Sequence, residues 1–327
     1  NNTFKMLQKH VFVFYFRGEM CDSNGYSPSS LRANTDWTRM SRMRSYPLKK
    51  SLHNLATVTN LDNRTTHRNV LRVLLDRAVQ MDFGENRPHG MILVTGPTGS
   101  GKTTTLYGAL SELNKPDLKI ITAEDPIEYR LPRINQVQVN AKIGLDFAAI
   151  LRTTLRQDPD IIMVGEMRDQ ETVEIGLRGA LTGHLVLSTL HTNDSVTSAI
   201  RLIDMGAAPY LVATSLRGVL AQRLVRRVCE NCKQEKLPSA QEQAWVGFLK
   251  PELTNASFYK GRGCNSCNHT GYKGRIGVFE FLEMNEDMME ALRDDNTQGF
   301  VDATKANKDF VPLSHMALDY AAEGKTS

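Results

Sequence analysis

The stretch Gly96-Pro97-Thr98-Gly99-Ser100-Gly101-Lys102-Thr103 fills every fixed position of the GxxxxGK[ST] phosphate-loop pattern, and the apolar run Met91-Ile92-Leu93-Val94 leads into it. Each residue type has a physical reason to be there. The small residues Gly96, Thr98, Gly99, Ser100 and Gly101 let successive backbone N–H groups turn inward around phosphate oxygens. Lys102 reaches the β and γ phosphates, and the Thr103 hydroxyl can ligate Mg²⁺. A buried strand should precede the loop and a helix should follow it. Thr104-Thr105-Leu106-Tyr107-Gly108-Ala109-Leu110 reads as that helix, its positive N-terminus facing the anion. The stretch implies a nucleoside-triphosphate site, with ATP as the expected ligand and the backbone from Gly99 to Thr104 around the phosphates.

Outward from the loop, short β-branched runs alternate with amphipathic stretches from Leu71 onward, which predicts an α/β domain with a largely parallel sheet. Strands are predicted over 91–95, 119–122, 161–164 and 185–188, and helices over 102–113, 147–156, 171–181, 195–205 and 210–220. Near Cys229 the alternation gives way to polar residues, paired cysteines and glycine-rich turns, so a smaller subdomain is expected before a helical tail at about 287–322. The organisation predicted is an unassigned segment 1–70, a nucleotide-binding core 71–228, a cysteine subdomain 229–275 and a C-terminal helical part 276–327.

At 327 residues with 41% apolar content, the chain is long enough for about two packed domains. No apolar run approaches the ~20 residues that span a bilayer; Val11-Phe12-Val13-Phe14-Tyr15-Phe16 reads as a strand. The chain opens on Asn1 and closes on Glu323-Gly324-Lys325-Thr326-Ser327 without a helix end, which reads as truncation at both termini. Five cysteines, four of them in two pairs, fit a reducing compartment better than a secreted disulfide framework. The net charge of +4 is unevenly placed: residues 1–50 hold nine Lys and Arg against three acids, which leaves −2 for 51–327. A polyanion-binding surface would have to lie in that first segment, around Arg32, Arg39, Arg42, Arg44, Lys49 and Lys50, and a solvated tail is the commoner use of such composition.

Four further motifs carry chemistry. Glu124-Asp125-Pro126-Ile127-Glu128 gathers three carboxylates within five residues, costly without a cation or a water-activating task to use them. The apolar run Ile161-Ile162-Met163-Val164 delivers Glu166 at its end, the logic of a strand that holds Mg²⁺ or its water opposite a phosphate loop. In the run from Thr182 to Asp194 a buried strand is bracketed by His184 and His191; His191, beside Thr192 and Asn193, is the better candidate for sensing a γ-phosphate, and His184 is as readily structural. Cys229-Glu230-Asn231-Cys232 and Cys264-Asn265-Ser266-Cys267 form two CxxC knuckles 31 residues apart, suited to tetrahedral Zn²⁺ in a closed structural site. Cys21 lies far from both.

In this order, the phosphate loop, the acidic box, the strand ending at Glu166, the histidine box, the segment Gln222-Arg223-Leu224-Val225-Arg226 and the four cysteines resemble the C-terminal ATPase domain of the type II secretion and type IV pilus extension ATPases, the GspE/PilB family. The resemblance runs from about Pro88 to Ser327. Pilus retraction ATPases share the nucleotide motifs and generally lack the cysteine pairs, so the resemblance points to assembly or secretion. Arg130-Leu131-Pro132-Arg133-Ile134-Asn135 and Gly165-Glu166-Met167-Arg168 resemble the mannose-sensitive hemagglutinin pilus branch (MshE). What the resemblance implies is a RecA-like P-loop NTPase core in a homo-hexameric ring at the cytoplasmic face of the inner membrane, hydrolysing ATP to drive a platform protein, with no nucleic-acid partner. Residues 1–60 do not resemble the upstream domains of that family.

On this reading Lys102 holds the phosphates, Thr103 and Glu166 hold Mg²⁺ directly or through water, and Glu124 positions the attacking water with Asp125 and Glu128 in support. Arg223 and Arg226 either face a neighbouring subunit or make surface ion pairs. Two rival readings remain at this point. One is a scaffold that binds ATP without hydrolysing it; the other is a DNA-translocating secretion ATPase, against which the −2 balance of residues 51–327 argues.

Overall fold

Strand β1 (Gly90–Thr95) is buried along its whole length, as a central strand covered on both faces must be. Its side chains alternate: Met91 and Leu93 enter one hydrophobic cluster, Ile92 and Val94 the other. The computed structural model describes residues 89–327. The expectations for 1–70, and for the part of the core before His89, lie outside the described residues.

After β1 come α1 (Lys102–Leu113), β2 (Ile120–Glu124), β3 (Asn135–Gln138), α2 (Phe147–Thr154), β4 (Ile161–Val164), α3 (Gln170–Leu181), β5 (Leu185–Leu190), α4 (Ser195–Asp204) and α5 (Pro209–Ser215). The long strand β6 (Leu216–Val228) follows, then β7 (Lys233–Lys236), α6 (Ala240–Leu249), β8 (Phe258–Gly261) and β9 (Tyr272–Glu283). Helices α7 (Glu286–Arg293), α8 (Thr297–Ala306) and α9 (Leu313–Ala322) complete the described chain. The main sheet has seven strands in the order β3-β2-β4-β5-β1-β6-β9; all pairings are parallel except that of β9 with β6.

Helices pack on both faces. One cluster joins Met91, Leu93 and Val186 to side chains of α2, α3, α4, α5, α7 and α8, among them Leu151, Leu177, Leu202, Val212, Met288 and Phe300. The other sets Tyr107 and Leu110 of α1 against Ile92, Val94, Ile161 and Leu187. Acidic or amide N-caps start several helices: Asp146, Asp169, Asp194, Asn285 and Asn296 each accept a backbone N–H of the first turn. Helix α1 differs. Its N-cap is Gly101 at φ 92°, with no side-chain cap, so its first N–H groups stay available to a ligand.

The parallel register places the business end of the sheet. Thr95 pairs with Leu190 and with Ala221, Val164 with Ser188, and Ala123 with Val164. The residues that follow β1, β2, β4 and β5 therefore emerge at one edge, the carboxyl edge where ligands bind in open α/β sheets.

The structure corrects several sequence-based boundaries. The helix predicted over 210–220 ends at Ser215, and Leu216 to Val228 is strand. Pairing with both β1 and β9 overrides the helical periodicity there, and Gly218 shows why: a Cβ on it would lie 2.9 Å from the Phe281 ring on β9. Strand β2 runs on to Glu124, so this acid is a strand residue and not a turn residue. The segment 276–327 is not helical throughout, because Ile276 to Glu283 belong to β9. The cysteine module also closes earlier than 275: β6 and β9 form an antiparallel ribbon, and residues 229–271 hang between its ends, with β7 and β8 as a separate two-stranded sheet.

Candidate functional site

The phosphate loop leaves β1 at Gly96, whose φ of 144° suits glycine alone; a Cβ there would lie 2.3 Å from the Gln222 carbonyl of β6. Lys102 is buried and folds back over the loop. Its Nζ donates to Gly96 O at 2.8 Å and Pro97 O at 3.3 Å, and it lies 3.4 Å from His191 Nδ1. Burial lowers the ammonium pKa from its ordinary value, and the nearby Glu166 charge opposes that shift.

His191 links the loop to the next strand. Its Nε2 is 3.4 Å from Glu166 Oε1, and Glu166 Oε2 accepts from Arg168 Nε at 2.7 Å. The contacts suit the tautomer whose Nδ1 accepts from the Lys102 ammonium and whose Nε2 side faces the carboxylate. Arg168 continues the line to Asp125 Oδ2 at 3.7 Å. One row of polar groups, Lys102, His191, Glu166, Arg168 and Asp125, thus crosses the carboxyl edge.

Neighbouring hydroxyls pin that row. Thr95 Oγ1, one residue before the loop, lies 2.6 Å from Thr192 Oγ1 and accepts the Thr192 N–H at 3.0 Å. Thr189 Oγ1 donates to Gly165 O at 2.7 Å and Ser188 Oγ to Val164 O at 2.8 Å, fixing the end of β4 that presents Glu166.

Glu124 has a different environment. It is 3% exposed; its carboxylate accepts from Gln136 Nε2 at 3.0 Å and from the hydroxyls of Thr122 and Tyr107. Burial, then the Glu124 carboxylate, push the Tyr107 phenol far above its ordinary value. Asp125 and Glu128 lie on the exposed loop after β2, where the Glu128 N–H donates to Tyr107 OH at 3.3 Å.

Several residues singled out from sequence fall elsewhere. His184 precedes β5, at the edge of the sheet opposite the loop, and its Nδ1 lies 2.9 Å from Gly179 O. Arg223 donates to Asn193 O at 2.9 Å and Oδ1 at 3.0 Å, and Arg226 lies 4.0 Å over the Tyr272 ring. Sequence reasoning missed Thr95, Tyr107, Gln136 and Gln222 as site residues. The available signal for Gln222 was a lone amide closing the apolar run Val219-Leu220-Ala221.

The loop fits a nucleotide and its cation. Gly99 has open space about its Cα, the Ser100 hydroxyl is buried with no partner among the described residues, and Thr103 and Thr104 are exposed at the start of α1. The cysteines fit a tetrahedral ion. Their four sulfurs lie within 4.8 Å of one another, with Sγ–Sγ separations of 3.8 Å and 3.9 Å. A tetrahedron with Zn–S arms of ~2.3 Å has edges of about 3.8 Å, whereas a disulfide would need about 2.05 Å. Burial pushes the Cys232 thiol up to about 11; at Cys267 burial is overcome by the N–H groups of Cys264 and Gly271 and by the neighbouring thiols, bringing it down to about 6.

With this geometry in place, comparison with known proteins assigns the lineage. The family model described as "Type II/IV secretion system protein" matches residues 40–327. The chain belongs to that family. The chain is 47% identical over 243 residues to type II secretion system protein E of Aeromonas hydrophila, covering 74% of this chain and 48% of that one. It is 54% identical over 209 residues to the type IV pilus assembly ATPase PilB of Myxococcus xanthus, covering 63% and 37%. Among solved structures, the pilus retraction motor PilT with bound ADP superposes with a TM-score of 0.56 at 29% identity, covering 78% of this chain and 62% of that one. The family member spans less than half the length of these two sequence relatives.

Proposed function

We propose that this chain is the ATP-hydrolysing part of a motor that powers type IV pilus assembly or type II protein secretion. The observation that carries the reading is the row from Lys102 through His191 to Glu166, which joins a complete phosphate loop to a carboxylate on the next strand but one. The relatives support it, being a secretion protein and a pilus assembly ATPase by name.

In this proposal Lys102 and the N–H groups of Gly99 to Thr104 bind the phosphates. Thr103 and Glu166 hold Mg²⁺, which when bound neutralises charge on the β and γ phosphates. Glu166 also orients the attacking water and His191 holds Glu166 in place. The sequence expectation gave the water to Glu124. Its three donors and its burial support a different task, bracing β2 against α1 and β3, and the half-open Glu166 is better disposed to receive a proton. Cys229, Cys232, Cys264 and Cys267 hold Zn²⁺, which staples the module of 229–271.

Thr103 and Thr104 at the head of α1 are exposed, and phosphoryl transfer needs positive charge beyond Lys102, so a neighbouring subunit in a homo-hexameric ring is proposed to supply it. Among the described residues no helix is long and apolar enough to cross a membrane, so attachment to the cytoplasmic face of the inner membrane is proposed to run through a platform protein. The test is phosphate release from Mg-ATP with Lys102→Ala as the blank. Release above the blank is expected; tight binding with no release over the blank at any protein concentration would contradict the motor and leave a nucleotide-binding scaffold.

A further inference from the structure

Gln222 lies on β6 one residue past the Thr95–Ala221 pair, level with the start of the phosphate loop, and is 2% exposed. Its amide is used at both ends: Nε2 donates to Ser100 O at 2.9 Å, and Oε1 accepts from Thr105 Oγ1 at 2.8 Å. Its backbone carbonyl abuts Gly96. One residue of β6 therefore touches the entry of the loop, its apex and the first turn of α1.

The bond to Ser100 has a directional consequence. The peptide joining Ser100 to Gly101 is planar and trans, so its C=O and its N–H point opposite ways. Drawing Ser100 O toward β6 turns the Gly101 N–H away from β6. Gly101 sits at φ 92°, a conformation in which glycine has little steric preference of its own, so that peptide needs an external partner to hold one orientation. The Ser100 carbonyl can only accept, so Nε2 and not Oε1 faces it, and the bond from Thr105 Oγ1 to Oε1 holds the amide plane in that orientation.

We propose that Gln222 is a positioning residue of the nucleotide site, which sets the Ser100–Gly101 peptide so that the Gly101 N–H is presented to a phosphate oxygen before the nucleotide arrives. This rests on the reading of the loop as a nucleoside-triphosphate site. Without Gln222 the peptide can rotate, and binding must first restore its orientation.

The experiment measures Mg-ADP and Mg-ATP affinities of the purified chain, with melting temperature and with kcat and KM, for the wild type, Gln222→Leu, Thr105→Val, Thr105→Ser and Gln222→Leu/Thr105→Val. Expected is about tenfold weaker binding of both nucleotides by Gln222→Leu, the size of one directed buried hydrogen bond. KM should carry the loss and kcat should change little. Thr105→Val should weaken binding about threefold, Thr105→Ser should restore it, and the double variant should be no worse than Gln222→Leu. Wild-type affinity in a folded Gln222→Leu, or losses that simply add in the double variant, would overturn the proposal. Should Gln222→Leu fail to fold, equal affinities of Thr105→Val and Thr105→Ser would overturn it as well. If the wild type binds neither nucleotide, the parent reading fails and the inference with it.

Discussion

Glu124 and Glu166 end neighbouring strands at the same edge of one sheet, yet their surroundings assign them different work. Glu124 points among Tyr107, Thr122 and Gln136 and is all but sealed from solvent; Glu166 is held by Arg168 and His191 with 22% of its side chain exposed. Glu124→Gln should therefore cost stability, about 1–3 kcal/mol for a buried acceptor lost amid its donors, and reduce turnover less than about tenfold. Thermal unfolding and steady-state phosphate release check this; a loss of ~10² to 10⁴ in turnover with stability unchanged would return the water-positioning role to Glu124. At this scale the sequence showed the residue types of the site and not their environments. The meeting of Lys102 and Glu166 at one edge was legible because the loop and the apolar strand are local patterns. The burial of Glu124 was not, because it depends on where β2 stops and on the β2–β3 and β2–β4 pairings.

Among the elements, the ones read correctly are those whose periodicity agrees with their neighbours. Strands β1, β4 and β5 are continuous apolar runs, helices α3 and α4 are amphipathic stretches with Asp caps, and α1 follows directly from the phosphate-loop pattern. Strand β6 was hidden. The stretch from Tyr210 to Leu220 has helical spacing, and only the register of β6 between β1 and β9 turns Leu216 onward into strand. That register also decides the role of Gln222, which local pattern alone could not reveal. The close approach at Gly218 gives a test: Gly218→Val should destabilise the fold by about 1–3 kcal/mol, since the new side chain meets the Phe281 ring at 2.9 Å and Leu282 O at 3.2 Å. A melting temperature equal to the wild type would show that the β6–β9 ribbon yields more easily than its packing implies.

On the scale of the whole molecule, the ribbon connects two sites of different chemistry. β6 spans Leu216–Val228 and passes the phosphate loop at Gln222, so about 20 Å of strand, at the usual rise per residue, separates the loop from the cysteine module. Besides its sulfurs the cysteine module buries Val246 and leaves Leu237, Trp245 and Phe248 exposed, so its order should depend on the ion. Metal analysis should find about one zinc per chain, and chelation or Cys232→Ser should open 229–271 to protease; a module equally resistant without metal would show that β7, β8 and α6 suffice. A second expectation concerns assembly. If positive charge comes from a neighbour, phosphate release per chain should rise with protein concentration over the range in which sedimentation shows rings forming, whereas a flat specific activity would mean each chain carries a complete site. The zinc site was legible in the two CxxC pairs, which are local patterns, whereas the ring was expected only through the resemblance.

The central claim is that the carboxylate in line with Lys102 and His191 organises the hydrolysis of ATP. The most direct measurement is single-turnover cleavage of Mg-ATP by the wild type and by Glu166→Gln, with nucleotide affinity determined on the same preparations. The account predicts that Glu166→Gln still binds Mg-ATP, more weakly because one holder of Mg²⁺ is lost, and cleaves the bound nucleotide ~10² to 10⁴ times more slowly. Cleavage at the wild-type rate with Glu166 replaced would contradict it.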